Sequence, residues 1–472
     1  MKWNEKTLAL SVFLIASLAF IGVALFSETL GEGGDSTTHY MYALLGLTHP
    51  AYFFVHWAKP LFTLLAAPFT LLGFTGMKLF NVLCSIGAAY LANGTAKEMG
   101  IKHWYWTAPA VLACPLLFPV TLSGLTEPFS ALLLIASVYA YLKGHEKLGI
   151  VLASLLPFVR SEGLVILSVV AVLLLLKRDF CKLPLLLVGH VIFSLAGWYF
   201  YQDLLWVFTK IPYATTTSVY GSGDWFHFVN QLYFCLGPIT FLGMCMGYLV
   251  QTEQWYRLKN KAPLGSIFLV HGISLAFVVA HSMFWALGIF NSMGLNRVLV
   301  SIFPLCGIIA IQGLSAITLK IPGIYAKAFY GFWVILLLAF PFFDNPASTR
   351  FNEAMRLTPE HVFMKGTLAP YLEKYYPTNR YLAAEPEIAL FTSRDFFTKD
   401  IWVYPGTQLK EYTLHEGDVM IYDSIVMTAD RGITLTQLRS EGRWKQDTVF
   451  TYVNNHRQVD NYYLFVHKAN NK

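Results

Sequence analysis

Asp35 and His39, in the stretch "GGDSTTHY", stand four residues apart, the spacing that puts two side chains on one face of a helix. A carboxylate at that position can serve as a general base, or it can cap the helix that "DSTTHYMYALLGL" would form; His39 is either a partner in that chemistry or an ordinary hydrogen-bonding histidine. A second acid, Glu127 in "SGLTEPFSALLL", opens a later apolar segment behind Thr126 and ahead of Pro128, where the helix dipole alone would already favour it. Two carboxylates converging from separate segments can divide the roles of base and orienting acid, or share a divalent cation such as Mg, Mn or Ca. Cations follow in "VHWAKPLFTLL" (His56, Lys59), "PFVRSEGL" (Arg160, with Glu162) and "GLNRVLV" (Arg297). Placed beside the acids, they would hold a phosphate and stabilise the charge on it as it leaves. Each also has a plainer reading: Lys59 snorkelling from an interfacial helix, Arg160 and Glu162 pairing to fix a turn, Arg297 anchoring a helix end.

The elements that must carry these residues are membrane helices. Of 472 residues 56% are hydrophobic and only 13% charged, and the mean hydropathy is +0.50, which together indicate a polytopic membrane protein. Apolar segments recur from Thr7 to Phe343, and the composition then changes abruptly, so two domains are expected, 1–343 in the membrane and 344–472 as a soluble α/β unit. Basic residues cluster at Lys2 and Lys6, Lys97 and Lys102, Lys143 and Lys147, Lys177 to Lys182, Arg257 to Lys261, and Lys320 and Lys327. Putting every cluster on the cytoplasmic side requires eleven crossings, near 7–27, 79–96, 103–125, 128–142, 148–159, 163–176, 183–206, 230–250, 264–288, 298–318 and 324–343. The N-terminus is then inside and the tail outside.

That count excludes "PLFTLLAAPFTLLGF" (60–74), a short segment punctuated by Pro60, Pro68 and Gly73, which suits an interfacial helix. Asp35, His39, His56, Lys59, Glu127, Arg160 and Arg297 consequently face one non-cytoplasmic side. The hairpin 148–176 has short arms, so its Arg160–Glu162 tip would lie below the interface; one long tilted helix is the alternative. The net charge of +6 is spread over short loops rather than one patch, which argues against nucleic acid. The six cysteines all lie in the apolar part without CxxC spacing, and indicate neither disulfides nor a zinc site. No Walker A, HExxH or GxSxG motif occurs. In the tail, "NEAMRLTPEHVFMKGTLAPYLEKYY" has helical patterning, "DVMIYDSIVM" and "NYYLFVHK" read as strands, and "YPG", "EGD" and "ADRG" as turns. The outer loop "KIPYATTTSVYGSGDWFHFVNQL", with Asp224, Trp225 and His227, is either a sugar-contacting lid or an interfacial anchor.

The order of a first outer loop carrying an Asp, then "KPL", then "TEP" opening a later span, then "RSEG", resembles the GT-C superfamily of membrane glycosyltransferases over residues 1–345. Protein O-mannosyltransferases, the aminoarabinose transferases of lipid A and bacterial mannosyltransferase-like proteins belong to that superfamily. The resemblance implies a GT-C-like helical membrane fold with interfacial helices in the first outer loop. It implies transfer of a sugar from a polyprenyl-phosphate-linked donor to a hydroxyl acceptor on a lipid-linked glycan or protein, outside the cytoplasmic membrane of a bacterium, with the tail periplasmic. Asp35 would be the base of an inverting single displacement and Lys59 would lie near the lipid phosphate. The chain departs from the pattern in having "GDS" without an adjacent Asp-Glu pair, and "KPL" with a single proline. Three rival classes are a flippase or other transporter of lipid-linked sugars, a non-catalytic assembly subunit, and an O-antigen-ligase-like enzyme.

Overall fold

The computed structural model describes residues 5–212, 218, 220–258, 263–321, 323–339, 351–395, 401–402, 413–424, 426–454 and 457–468. The expected domain boundary at 343/344, the "YPG" turn and Lys2, Lys259 and Lys261 lie outside them. The chain opens with α1 (Glu5–Phe26), α2 (Asp35–Gly46), α3 (Pro60–Thr70) and α4 (Phe74–Glu98). Among the described residues, five helical stretches, Glu5–Phe26, Phe74–Glu98, Phe180–Tyr201, Leu264–Leu287 and Asn296–Leu319, are long and apolar enough to cross a membrane. Pro60–Thr70, Glu127–Leu142 and Gly163–Leu176 are apolar but shorter.

The expected span 103–125 is not one helix: it is broken into Trp104–Trp106, Thr107–Leu112 and Leu117–Thr121. Pro109, Pro115 and Pro119 explain the breaks, since each removes a backbone donor and clashes with the preceding turn. The side-chain amide of Asn93 takes over one orphaned donor, accepting from the Ala108 N–H at 2.8 Å. The short α3 rises only about 17 Å as helix, in line with its exclusion as a crossing. The 148–176 segment is a hairpin and not one long helix: Glu146–Ser154 and Leu156–Phe158 precede a turn, and Gly163–Leu176 returns. A side chain at Gly163 would meet the Leu156 carbonyl carbon at 2.5 Å, so the turn closes only around glycine.

Small residues draw the helices together. Gly243, Gly247 and Gly313 let Pro238–Leu258 lie backbone to backbone against Phe303–Lys320; a Cβ on Gly313 would fall 2.2 Å from the Gly243 carbonyl oxygen. Ala88, Ala89, Ala92 and Ala96 of α4 belong to the same buried core as Ala131, Leu134, Ile135 and Val138 of Glu127–Leu142.

Beyond residue 351 the chain makes short helices and a five-stranded mixed sheet in the order β2-β1-β3-β5-β4. The strands are β1 (Tyr381–Ala383), β2 (Ile401–Trp402), β3 (Val419–Asp423), β4 (Trp444–Val453) and β5 (Val459–His467). β1 runs parallel to β2 and β3, while β5 is antiparallel to β3 and β4. The two expected strands are β3 and β5, although β3 stops at Asp423 and a helix, Val426–Arg431, takes up Val426 and Met427 of the expected strand and most of "ADRG". Asp423 causes the switch, its carboxylate accepting the Val426 N–H at 2.6 Å and the Met427 N–H at 3.3 Å.

Candidate functional site

Asp35 begins α2, but it is not the cap of that helix. Gly34 occupies the capping position, no side chain bonds the first turn, and the Asp35 carboxylate turns to Arg297 instead. Gly31, Gly33 and Gly34 all have positive φ (72°, 73° and 37°), a run of left-handed turns that side chains would resist. This loop lies directly on "SGLTEP". A Cβ on Gly31 would come within 2.4 Å of Ser123 Cβ, and one on Gly124 within 2.2 Å of the Ser36 carbonyl oxygen. Ser36 Oγ donates to the Leu30 carbonyl at 2.7 Å and accepts the Gly124 N–H at 2.6 Å. Asn81 of α4 holds the other side of the "SGL" turn, donating to the Ser123 and Leu125 carbonyls at 2.6 and 2.9 Å.

Those staples bring Asp35 and Glu127 to one guanidinium. Arg297 engages Asp35 and Glu32 directly, and its Nε lies 3.6 Å from Glu127 Oε1. Arg160 continues the chain: its Nη1 is 2.6 Å from Glu127 Oε1 and 3.1 Å from Thr126 Oγ1, and its Nη2 is 2.7 Å from Glu162 Oε1. His281 Nε2 ends it, 3.9 Å from Glu162. Lys59 reaches the same turn, donating to Ser161 Oγ at 2.8 Å. The exposure falls from Asp35 inward to Glu127: the Asp35 side chain is 45% accessible, Arg297 11% and Glu127 1%. An open carboxylate thus stands at the lip, with a buried one behind it that faces two arginines.

The structure therefore joins Asp35, Glu127, Lys59, Arg160, Glu162 and Arg297. Neither His39 nor His56 enters an ion pair among the described residues, although His39 lies within range of the Asp35 charge. His39 stacks on Trp57 at 4.9 Å between ring centres, and His56 packs edge-on to Trp206 at 6.4 Å. Glu32, Ser161 and His281 were missed by sequence reasoning; Glu32 in "GEGGD" was within reach of the same argument, whereas a lone histidine in an apolar helix carries no signal. Lys59 has φ 65°, a left-handed backbone rare for a side-chain-bearing residue and a form of strain that collects at functional sites. A divalent cation shared by Asp35 and Glu127 does not fit this arrangement. The Arg297 guanidinium already occupies the space between them, and among the described residues no group of three His, Cys, Asp or Glu could hold a metal ion.

At the other end of Glu127–Leu142, about 22 Å away along the helix axis, Glu146 pairs with Lys177 at 2.9 Å and also with Lys182. Two of the basic clusters are thereby gathered at the end opposite the site. The described part of the outer loop is tied down: His227 Nε2 lies 2.8 Å from the Gly294 carbonyl oxygen, and the Gly223 N–H donates to that of Trp285 at 3.1 Å.

No family model matches the sequence, and no curated protein does. Among solved structures the chain is similar to that of ArnT from Cupriavidus metallidurans bound to undecaprenyl phosphate, with a TM-score of 0.59 and 11% identity over 98% of each chain. At that identity the likeness is one of fold. It spans the helical part and the tail alike.

Proposed function

We propose that this chain is an integral membrane glycosyltransferase that moves a sugar from a polyprenyl-phosphate-linked donor to a hydroxyl acceptor, a lipid-linked glycan or a protein, on the non-cytoplasmic side of the membrane. The observation that carries the reading is the row itself: one open carboxylate, Asp35, set among the cations Lys59, Arg160 and Arg297, at one end of an apolar helical bundle. The fold shared with an undecaprenyl-phosphate-bound protein supports the same reading.

In this reaction the acceptor oxygen attacks the anomeric carbon as Asp35 takes its proton. The bond from that carbon to the phosphate oxygen breaks, and polyprenyl phosphate leaves with the electron pair, giving inversion in one displacement. Arg297 binds Asp35 through Oδ2 and so fixes the carboxylate while the side chain keeps an accessible face. Lys59 and Arg160 hold the phosphate and offset the charge it gains, so little acid catalysis is needed at the leaving group. Glu127 keeps both arginines in place, and no step requires a metal.

The test is transfer from a panel of polyprenyl-phosphate-linked pentoses and hexoses by the full-length protein in lipid nanodiscs. Asp35→Asn should lose transfer while still binding undecaprenyl phosphate. Full activity in Asp35→Asn would remove the mechanism.

A further inference from the structure

The loop that carries Asp35 also touches the tail. Gly33 lies between two tail side chains: a methyl group there would come within 2.8 Å of His361 Nε2 and 3.1 Å of Glu387 Oε1. His361 sits in the short helix Pro359–Phe363 and Glu387 in Pro386–Phe391, so two separate tail elements converge on one glycine. A backbone bond beside them, from the Glu28 N–H to the Met355 carbonyl at 3.2 Å, fixes the start of the same loop.

Both side chains are buried, Glu387 to 1% accessibility, and their polar groups are not used up within the tail. Among the described residues His361 Nδ1 finds no hydrogen-bond partner, and the hydrogen-bonding neighbour of Glu387 is another acid, Glu385. Glu387 has as neighbours His361 Nε2, at 4.0 Å, and the carboxyl of Glu385. Burying such a pair is costly unless the position itself is needed. The loop supplies that need. Gly31, Gly33 and Gly34 have no side chains with which to pack, and glycine loses more conformational freedom on ordering than any other residue. The shape of the loop must be imposed from outside. Ser123 and Gly124 press on one end, at Gly31 and Ser36, and the tail presses on Gly33.

We infer that His361 and Glu387 are positioning residues for the glycosyl transfer proposed above: the tail holds the Gly31–Gly34 loop so that Asp35 stays over Arg297. The inference rests on that reading of Asp35. It gives the tail a part in turnover without contact with the reacting atoms.

The test uses the full-length protein in nanodiscs with the same donor panel. His361→Ala and Glu387→Ala should each lower kcat by about tenfold to a hundredfold, the cost of a catalytic group misplaced by about 1 Å. Undecaprenyl phosphate binding should be unchanged, because Lys59 and Arg160 are untouched. Glu387→Gln, which keeps the shape, should stay within about threefold of the parent. Gly33→Ala should also be slow, and pairing it with His361→Ala should cost less than the product of the two single losses, since both act on one contact. Parent-like kcat in the alanine variants, or independent losses in the double variant, would overturn the inference, as would a loss in Glu387→Gln equal to that in Glu387→Ala. If the alanine variants do not fold, Glu387→Gln and Gly33→Ala decide it alone. An active Asp35→Asn would instead refute the transfer mechanism, so the two failures are distinguishable.

Discussion

Carboxylates gather in two places in this molecule, and their surroundings differ in kind. At the membrane site Asp35, Glu127 and Glu162 alternate with Arg297 and Arg160, and the burial is tolerated because every acid faces a guanidinium. In the tail Glu360, Glu385, Asp423 and Asp460 line one cleft of about 80 Å³ in which, among the described residues, no Lys or Arg takes part. Hydroxyl, amide and backbone groups are among their partners. Glu360 accepts from the Tyr452 and Tyr462 hydroxyls at 2.9 and 2.7 Å, Asp460 from the Asn454 amide at 2.7 Å, and Asp423 from backbone N–H groups. Burial, and then the charges of Glu387, Asp423 and Glu360, push the Glu385 carboxyl well above its ordinary value. Burial holds His361 below its own ordinary value. The lesson is that acids are buried here in two ways, against fixed cations at the membrane site and against other acids in the tail, where Glu385 holds its proton more firmly.

The strongest way to break the comparison is at the open acid. Asp35→Asn should reduce transfer by about a thousandfold, the scale of a lost general base, read as turnover in the nanodisc assay. Next comes the buried acid behind it: Arg160→Ala breaks the buried pair with Glu127 and should cost about 3–5 kcal/mol of stability, seen as a lower thermal midpoint of the full chain. Lys59→Ala should weaken binding of undecaprenyl phosphate by about tenfold, or roughly 1.4 kcal/mol, measured directly with the lipid.

The tail should respond in the opposite sense. A carboxyl whose pKa is raised on folding favours the folded state below its ordinary value of 4.5 and works against it as the pH rises from there. Glu385→Gln removes that liability, so its thermal midpoint relative to the parent should increase from pH 5 to pH 8; a constant difference would show that the cleft does not hold a proton. The smallest effect belongs to the accessible cluster at the far helix end. Glu146→Gln should change stability by no more than about 1 kcal/mol, because solvent screens those lysine pairs.

Much of the site was legible because local chemistry marks it. "GGDS" announces a glycine-turned acid, "TEP" a carboxylate at a helix start, and "RSEG" a charged tip on an apolar hairpin. The requirement that basic clusters share a side then brought Asp35 and Glu127 together on paper, as the structure does in space. Two histidines drew on spacing alone. His39 has the right spacing from Asp35, and in the structure its ring also stacks on Trp57. His56, three residues from Lys59, is taken up in the same way by Trp206. The tail was harder to read: β1 and β2 are three and two residues long, too short to show a period, and β4 was missed altogether.

By itself the sequence determined that this is a membrane protein of many apolar helices, that its acids and cations lie at a few loop positions, and that a tail of mixed helix and strand follows. Those properties are set by composition and by neighbours along the chain, which hydropathy and turn chemistry report directly. Only the tertiary structure decided which cation meets which acid and what presses on Gly33. Arg297 reaches Asp35 across 262 residues, and His361 and Glu387 come from still further along the chain. Contacts of that range depend on how helices and loops pack in three dimensions, and no local pattern encodes them.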